Sequence, residues 1–228
     1  MDMDQPLYWG ILKRAGFVLV AVGLVDIGWM IYCIVNGISY SSSLNIFAVI
    51  AGILLIRGGL RTAGIVRWLA TFFVSAFVCV AVLFPLLQPI GLTIAEIRLN
   101  TVGVVSSVLF AVVIIAALYW VARELGREPI LVAREGAGLK RGSARVPIFC
   151  GIGAVVVGSV ALVVFLGGES ADRAKREAAE QVGPGFALHV TALMINESGR
   201  HKRVSAVVAA WNDKEVRDIS VHWEEGGN

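Results

Sequence analysis

The sequence predicts a helical membrane domain of about five spans, followed by a small α+β domain built from one helix and a three-stranded antiparallel meander. Three observations carry that reading. Apolar residues make up 57% of the 228 residues and charged residues only 16%, against about 45–50% and about 25% in an ordinary soluble domain. The apolar residues gather in long runs, as helices in a bilayer require. After residue 167 the composition turns polar and the hydrophobic period changes. The division is therefore 1–167 for the membrane part and 168–228 for the tail.

This balance excludes a disordered or collagenous chain and argues against a soluble globular enzyme. The net charge of +3 is unevenly shared: residues 1–167 carry 12 Lys/Arg and 7 Asp/Glu, and residues 168–228 carry 8 and 10. A nucleic-acid binder needs a basic face on a soluble module. Here the basic residues flank apolar runs instead, so no nucleic-acid partner is expected and the lipid bilayer is the first one.

The first span is 15–36. Asp2 and Asp4 precede the basic pair Lys13 and Arg14, and the apolar run that follows is longer than the core of a cleavable signal. It reads as a retained helix. The second span, about 42–56, is short, and Arg57 at its end would reach the headgroups to lengthen it. A re-entrant segment is the competing reading. Spans 68–87, 101–122 and 147–167 each reach the ~20 residues needed to cross a hydrocarbon core.

Orientation follows from Lys and Arg in the connections. The N-terminus, the 57–67 loop and the 123–146 loop together hold 11, while the 37–41 and 88–100 loops hold only Arg98. The N-terminus is therefore expected inside a bacterial cytoplasmic membrane and the tail outside. Arg173, Lys175 and Arg176 run against that rule.

In the tail, ESADRAKREAAEQV places Ala171, Ala174, Ala178 and Val182 on one helical face. Ser170 is the expected N-cap, Gly183 the C-terminal glycine, and Pro184 the stop. Strands are expected at 186–195, 203–211 and 216–223, the last alternating Ile219, Val221 and Trp223 with Asp218, Ser220 and His222. NESGR and NDK supply the turns.

Catalytic signatures are missing: the chain has no P-loop, HExxH, GxSxG or CxxC pattern. No cofactor and no enzymatic activity are expected. Cys33, Cys79 and Cys150 lie inside apolar runs at no metal-ligand spacing and read as small core residues.

Asp26 is the one ionisable residue deep in a span, where a carboxylate costs roughly 2.5–3.5 kcal/mol on insertion scales. It is a protonated or hydrogen-bonded group facing the bundle interior, a proton or cation site, or a polar clasp for a partner subunit. Gly103, Ser107 and Ala111, four apart, form an expected packing seam, as do Ala154 with Gly158 and Ala48 with Gly52. Such seams suit a partner helix or a second copy as well as the bundle itself. His189 and His222 fall on the polar strand face, and with Glu224 would form a metal site only if their strands were neighbours. Arg200, His201, Lys202 and Arg203 form a basic turn, read as a solvated loop, with an acidic partner or headgroups as the alternative.

The final span and tail, through ADRAKREAAEQVGPGF and RVSAVVAAWNDKEVRDISVHW, resemble single-span proteins of the cytochrome-oxidase assembly factor type. The resemblance covers about residues 147–224. The earlier spans, through LNIFAVIAGILLIRGGLR and ARELGREPIL, resemble uncharacterised bacterial inner-membrane proteins. Together these resemblances imply an accessory role without catalytic residues and transfer no site. The expected function is a non-enzymatic accessory, assembly or scaffold protein that presents its tail to a membrane complex. The alternative is a small transporter or channel using Asp26.

Overall fold

The computed structural model describes residues 7–36, 45–198 and 201–225. The fold is mostly helical and ends in a three-stranded antiparallel sheet. In chain order the elements are α1 (Leu7–Val35), α2 (Asn45–Ile56), α3 (Leu60–Leu87), α4 (Ile90–Leu99), α5 (Thr101–Glu124), α6 (Glu128–Gly136), α7 (Arg145–Leu166), α8 (Glu169–Val182), β1 (Ala187–Ser198), β2 (His201–Trp211) and β3 (Val216–Glu225). The chain forms two compact units, Met1–Phe77 with Val113–Gly151, and Val78–Val112 with Ile152–Asn228. The cuts fall inside α3, α5 and α7.

Among the described residues four helices are long and apolar enough to cross a membrane: α1, α3 over Leu60–Pro85, α5 and α7. Such a set is compatible with a membrane protein. The predicted second span is represented among the described residues by α2 alone. α2 has 12 residues, about 18 Å of helix, against a hydrocarbon core of about 30 Å. Residues 42–44 of that predicted span lie outside the described residues.

The first unit buries Leu12, Leu55, Val121, Leu125 and Ile130, drawn from α1, α2, α5, the turn after α5, and α6. α1 and α2 run antiparallel and almost touch. A Cβ built on Gly16 would stand 2.6 Å from the Gly52 carbonyl oxygen, and the converse distance is also 2.6 Å. A second close approach lies at Gly151 of α7, where a Cβ would stand 2.6 Å from the Phe72 carbonyl oxygen of α3.

Two connections expected as loops contain helices. Residues 128–136 form α6, with Pro129 in its first turn, where a missing N–H costs nothing, and Glu128 beside the helix's positive end. Its Ile130 and Leu131 are buried, which is why the segment folds onto the core. Residues 90–99 form α4, with Leu92 and Ala95 buried.

In the second unit α8 covers one face of the sheet. Ala171, Ala174 and Ala178 pack with Val190, Val204, Ala206, Val208, Val221 and Trp223. Small side chains let the helix lie close to the sheet, and the predicted alternation of β3 is the one observed. The strand order is β1-β2-β3. A bulge between Val190 and Ala192 breaks the β1–β2 register. Thr191 there donates a hydrogen bond to the Val207 carbonyl at 3.1 Å. Asn212 closes the β2–β3 turn, its Oδ1 accepting from the Lys214 and Glu215 amides at 2.8 and 2.9 Å. The N-cap of α8 is Gly168 rather than Ser170, with no side-chain cap bond; Ser170 falls inside the first turn. Gly183 ends the helix at φ 76°, in the region glycine favours, as expected.

Candidate functional site

Asp26 sits in the upper half of α1, half-buried and engaged by a neighbour. Its setting follows from the α1–α2 register. Gly52 meets both Gly16 and Val20, and Gly16 also meets Ile56, so the two sequences run past each other in opposite directions. Stepping seven residues back from Gly52 reaches Asn45, the first residue of α2. The same step along α1 from Gly16 or Val20 reaches residues 23–27. Asp26 therefore stands level with the first described residues of α2.

Gly23, one turn before Asp26, is buried, as a close helix approach requires.

The expected seams divide. Gly52 is at a real crossing. Gly158 has nothing within 4 Å of a built Cβ, and Ala154, Ser107 and Ala111 are exposed among the described residues. Gly103 sits over the Asn100 side chain, whose Oδ1 accepts from the Gly103 amide at 3.1 Å and so caps α5. On α5, Val102, Leu109 and Phe110 are exposed, and on α7 so are Val157 and Val164. These surfaces are apolar and exposed among the described residues.

The other candidate is the sheet face opposite α8. Alternation puts Met194, Ser205, Val207, Ser220 and His222 on it, and register sets Met194 beside Ser205 and Ser205 beside His222. Met194 is 70% exposed. At the far end of the same face the Trp211 indole lies against α4, its Nε1 3.3 Å from a Cβ built on Gly91.

The conditional metal site is not formed. β2 lies between β1 and β3, so the strands bearing His189 and His222 are not neighbours. The His222 ring nitrogen is hydrogen-bonded to Ser205 Oγ at 3.0 Å, and Glu224 pairs with Arg203 at 2.8 Å. Among the described residues no three His, Cys, Asp or Glu side chains are grouped to hold a metal. Of the basic turn, Arg200 lies outside the described residues, and Arg203 is in β2 rather than in a loop. The three cysteines are free, with Cys33 buried, Cys79 half-buried and Cys150 exposed.

One convergence escaped the sequence. Arg61 and Arg67 from α3, Arg134 from α6 and Lys140 line a single cleft. In sequence they appear only as basic loop residues counted toward orientation. The amphipathic pattern of 128–136 was the signal that would have brought Arg134 to α3. No family model, curated protein or solved structure matches the chain.

Proposed function

We propose that this protein is a non-enzymatic, multi-pass integral protein of a bacterial cytoplasmic membrane that presents its C-terminal α+β unit outside the membrane as an accessory or scaffold surface for a membrane complex. The observation that carries the reading is the tail's construction. One sheet face is closed by α8, and the opposite face displays Met194, Ser205 and His222 in one row. The exposed apolar lengths of α5 and α7 offer a second contact surface, toward lipid, a partner helix or a second copy.

Five crossings remain the proposed topology despite the short α2. Its C-terminal residue, Ile56, comes beside Gly16, within one turn of Lys13 and Arg14 on α1. The chain thus returns to the end of α1 that carries the basic pair, and α3 starts there. With α3, α5 and α7 each crossing, the basic connections fall on one side. α4 and the tail fall on the other.

The second reading is a small transporter or channel using Asp26. The half-buried, engaged setting of Asp26 on a helix packed closely against α2 supports a structural carboxylate over a conducting one. Purification in mild detergent followed by native electrophoresis separates the two. The accessory reading predicts a stoichiometric partner. Migration alone, together with proton flux in liposomes that Asp26→Asn abolishes, would favour transport.

A further inference from the structure

The cleft shared by α3, α6 and the segment after α6 has a volume of about 460 Å³, within the range of about 300–1,000 Å³ common for small-ligand sites. Its cations are Arg61, Arg67, Arg134 and Lys140. Among the described residues, no carboxylate pairs with any of the four. Basic residues close by in sequence are paired: Arg127 with Glu124 at 2.7 Å, and Arg141 with Glu128 and, at 3.7 Å, with Glu135. Four cations without a carboxylate partner among the described residues are thus collected in the cleft, while Arg127 and Arg141 near it are paired.

Two glycines make this possible. The Arg134 guanidinium lies directly on Gly64, where a side chain would have to displace it. Arg67 Nε is 3.3 Å from a Cβ built on Gly126. Arg134 Nε is buried and has no acceptor among the described residues. A buried donor without an acceptor is costly, so the arrangement favours an acceptor brought by a ligand.

The wall below the cations is apolar. Arg61, Ile65 and Leu69 are four apart and form one row along α3, with Trp68 beside them. Ile65 and Leu69 are exposed. Cations at the start of an apolar helix, continued by exposed apolar side chains, match a ligand with an anionic head and a hydrocarbon body.

We propose that this cleft binds the phosphate of an anionic phospholipid headgroup, with the acyl chains lying along Ile65 and Leu69. Guanidinium groups suit a phosphate because their planar N–H forks meet two oxygens at once. Basic recesses between membrane helices on the cytoplasmic side hold such headgroups. The same oxyanion chemistry would accept free phosphate; the apolar row favours lipid.

Native mass spectrometry of the full-length protein in detergent tests this, with phosphatidylglycerol and phosphatidylcholine titrated separately. Phosphatidylglycerol should bind at least about tenfold more tightly. Arg61→Gln and Lys140→Gln, both at exposed positions that folding tolerates, should each weaken it about fivefold and leave phosphatidylcholine unchanged. Arg134→Gln should weaken it further. Arg176→Gln, on α8, should change nothing. Equal binding of the two lipids, or phosphatidylglycerol binding unaltered in the Arg61 and Lys140 variants, would overturn the proposal. Inorganic phosphate is the second arm. If phosphate alone raises the melting temperature as much as phosphatidylglycerol does, the site belongs to soluble phosphate and the lipid assignment fails.

Discussion

Gly16 and Gly52 face each other where α1 crosses α2, each so near the other's backbone that a Cβ on one would stand 2.6 Å from the other's carbonyl oxygen. Even a methyl group forces the helices apart. Gly52→Ala should therefore destabilise the protein by about 1–3 kcal/mol. Gly158→Ala, on an α7 surface with nothing within 4 Å, should be neutral or stabilising, because alanine is the better helix former by about 1 kcal/mol. Thermal unfolding of both variants in one detergent checks the contrast. Equal effects would mean that the α1–α2 crossing is looser than described.

Trp223 closes the tail core over Ala174 and Ala178, with the Arg173 guanidinium 5.1 Å from its ring centre. Truncating a buried aromatic costs about 3–5 kcal/mol, a large share of what a unit this small can hold. Trp223→Ala should make residues after 167 sensitive to protease while the helices before them stay inserted. Unchanged resistance would show that the core lies elsewhere.

The parts legible in the sequence are those with a long or regular pattern. Four long apolar runs became α1, α3, α5 and α7, and the period-two and period-3.6 patterns of the tail became its strands and α8. α4 and α6 were missed because they are short and mix charge with apolar residues, so they resemble loops over a single turn. The helix-start signals of Glu128 and Pro129 were present, but helices of nine or ten residues gain most of their stability from tertiary packing that a sequence does not display. The same blindness hid the basic cleft. Arg61 and Arg134 are far apart in sequence, and only the packing of α6 onto the core brings them together. The spacing of small residues marked the Gly52 seam and the Gly158 surface alike, because spacing states which faces permit close approach and not which are used.

His189 on β1 gives the tail a pH dependence. Burial first, and then the charge of Lys175, hold its imidazole below the ordinary value of about 6.5. The folded tail therefore binds fewer protons there than the unfolded chain. Stability is intact above about pH 6.5 and falls as the pH drops through that value toward the lowered folded one. His189→Gln should flatten this slope. Protease resistance of the tail between pH 7.5 and 5.5 reads it directly, and a parallel decline in the variant would assign the slope to other groups.

Asp26 is half-buried on α1 and engaged by a neighbour, and its role there is expected to be structural. Asp26→Asn keeps the shape and hydrogen-bonding capacity and removes the charge, so folding and partner association should persist. Asp26→Leu removes the polar group too and should impair association, by about the 1–3 kcal/mol that a polar group left without its partner costs. A null phenotype in Asp26→Asn, with normal protein level and normal complex formation, would count for transport.

The central claim is that the tail is held outside the membrane and the basic connections inside. Two-sided cysteine labelling in intact cells tests it, in a background lacking Cys33, Cys79 and Cys150. Single cysteines are placed at Asp213, in the exposed β2–β3 turn, and at Gly136, at the end of α6 with nothing within 4 Å. The account predicts that a membrane-impermeant maleimide labels Asp213→Cys in intact cells and Gly136→Cys only after the membrane is opened. Labelling of Gly136→Cys in intact cells, or protection of Asp213→Cys there, would contradict it.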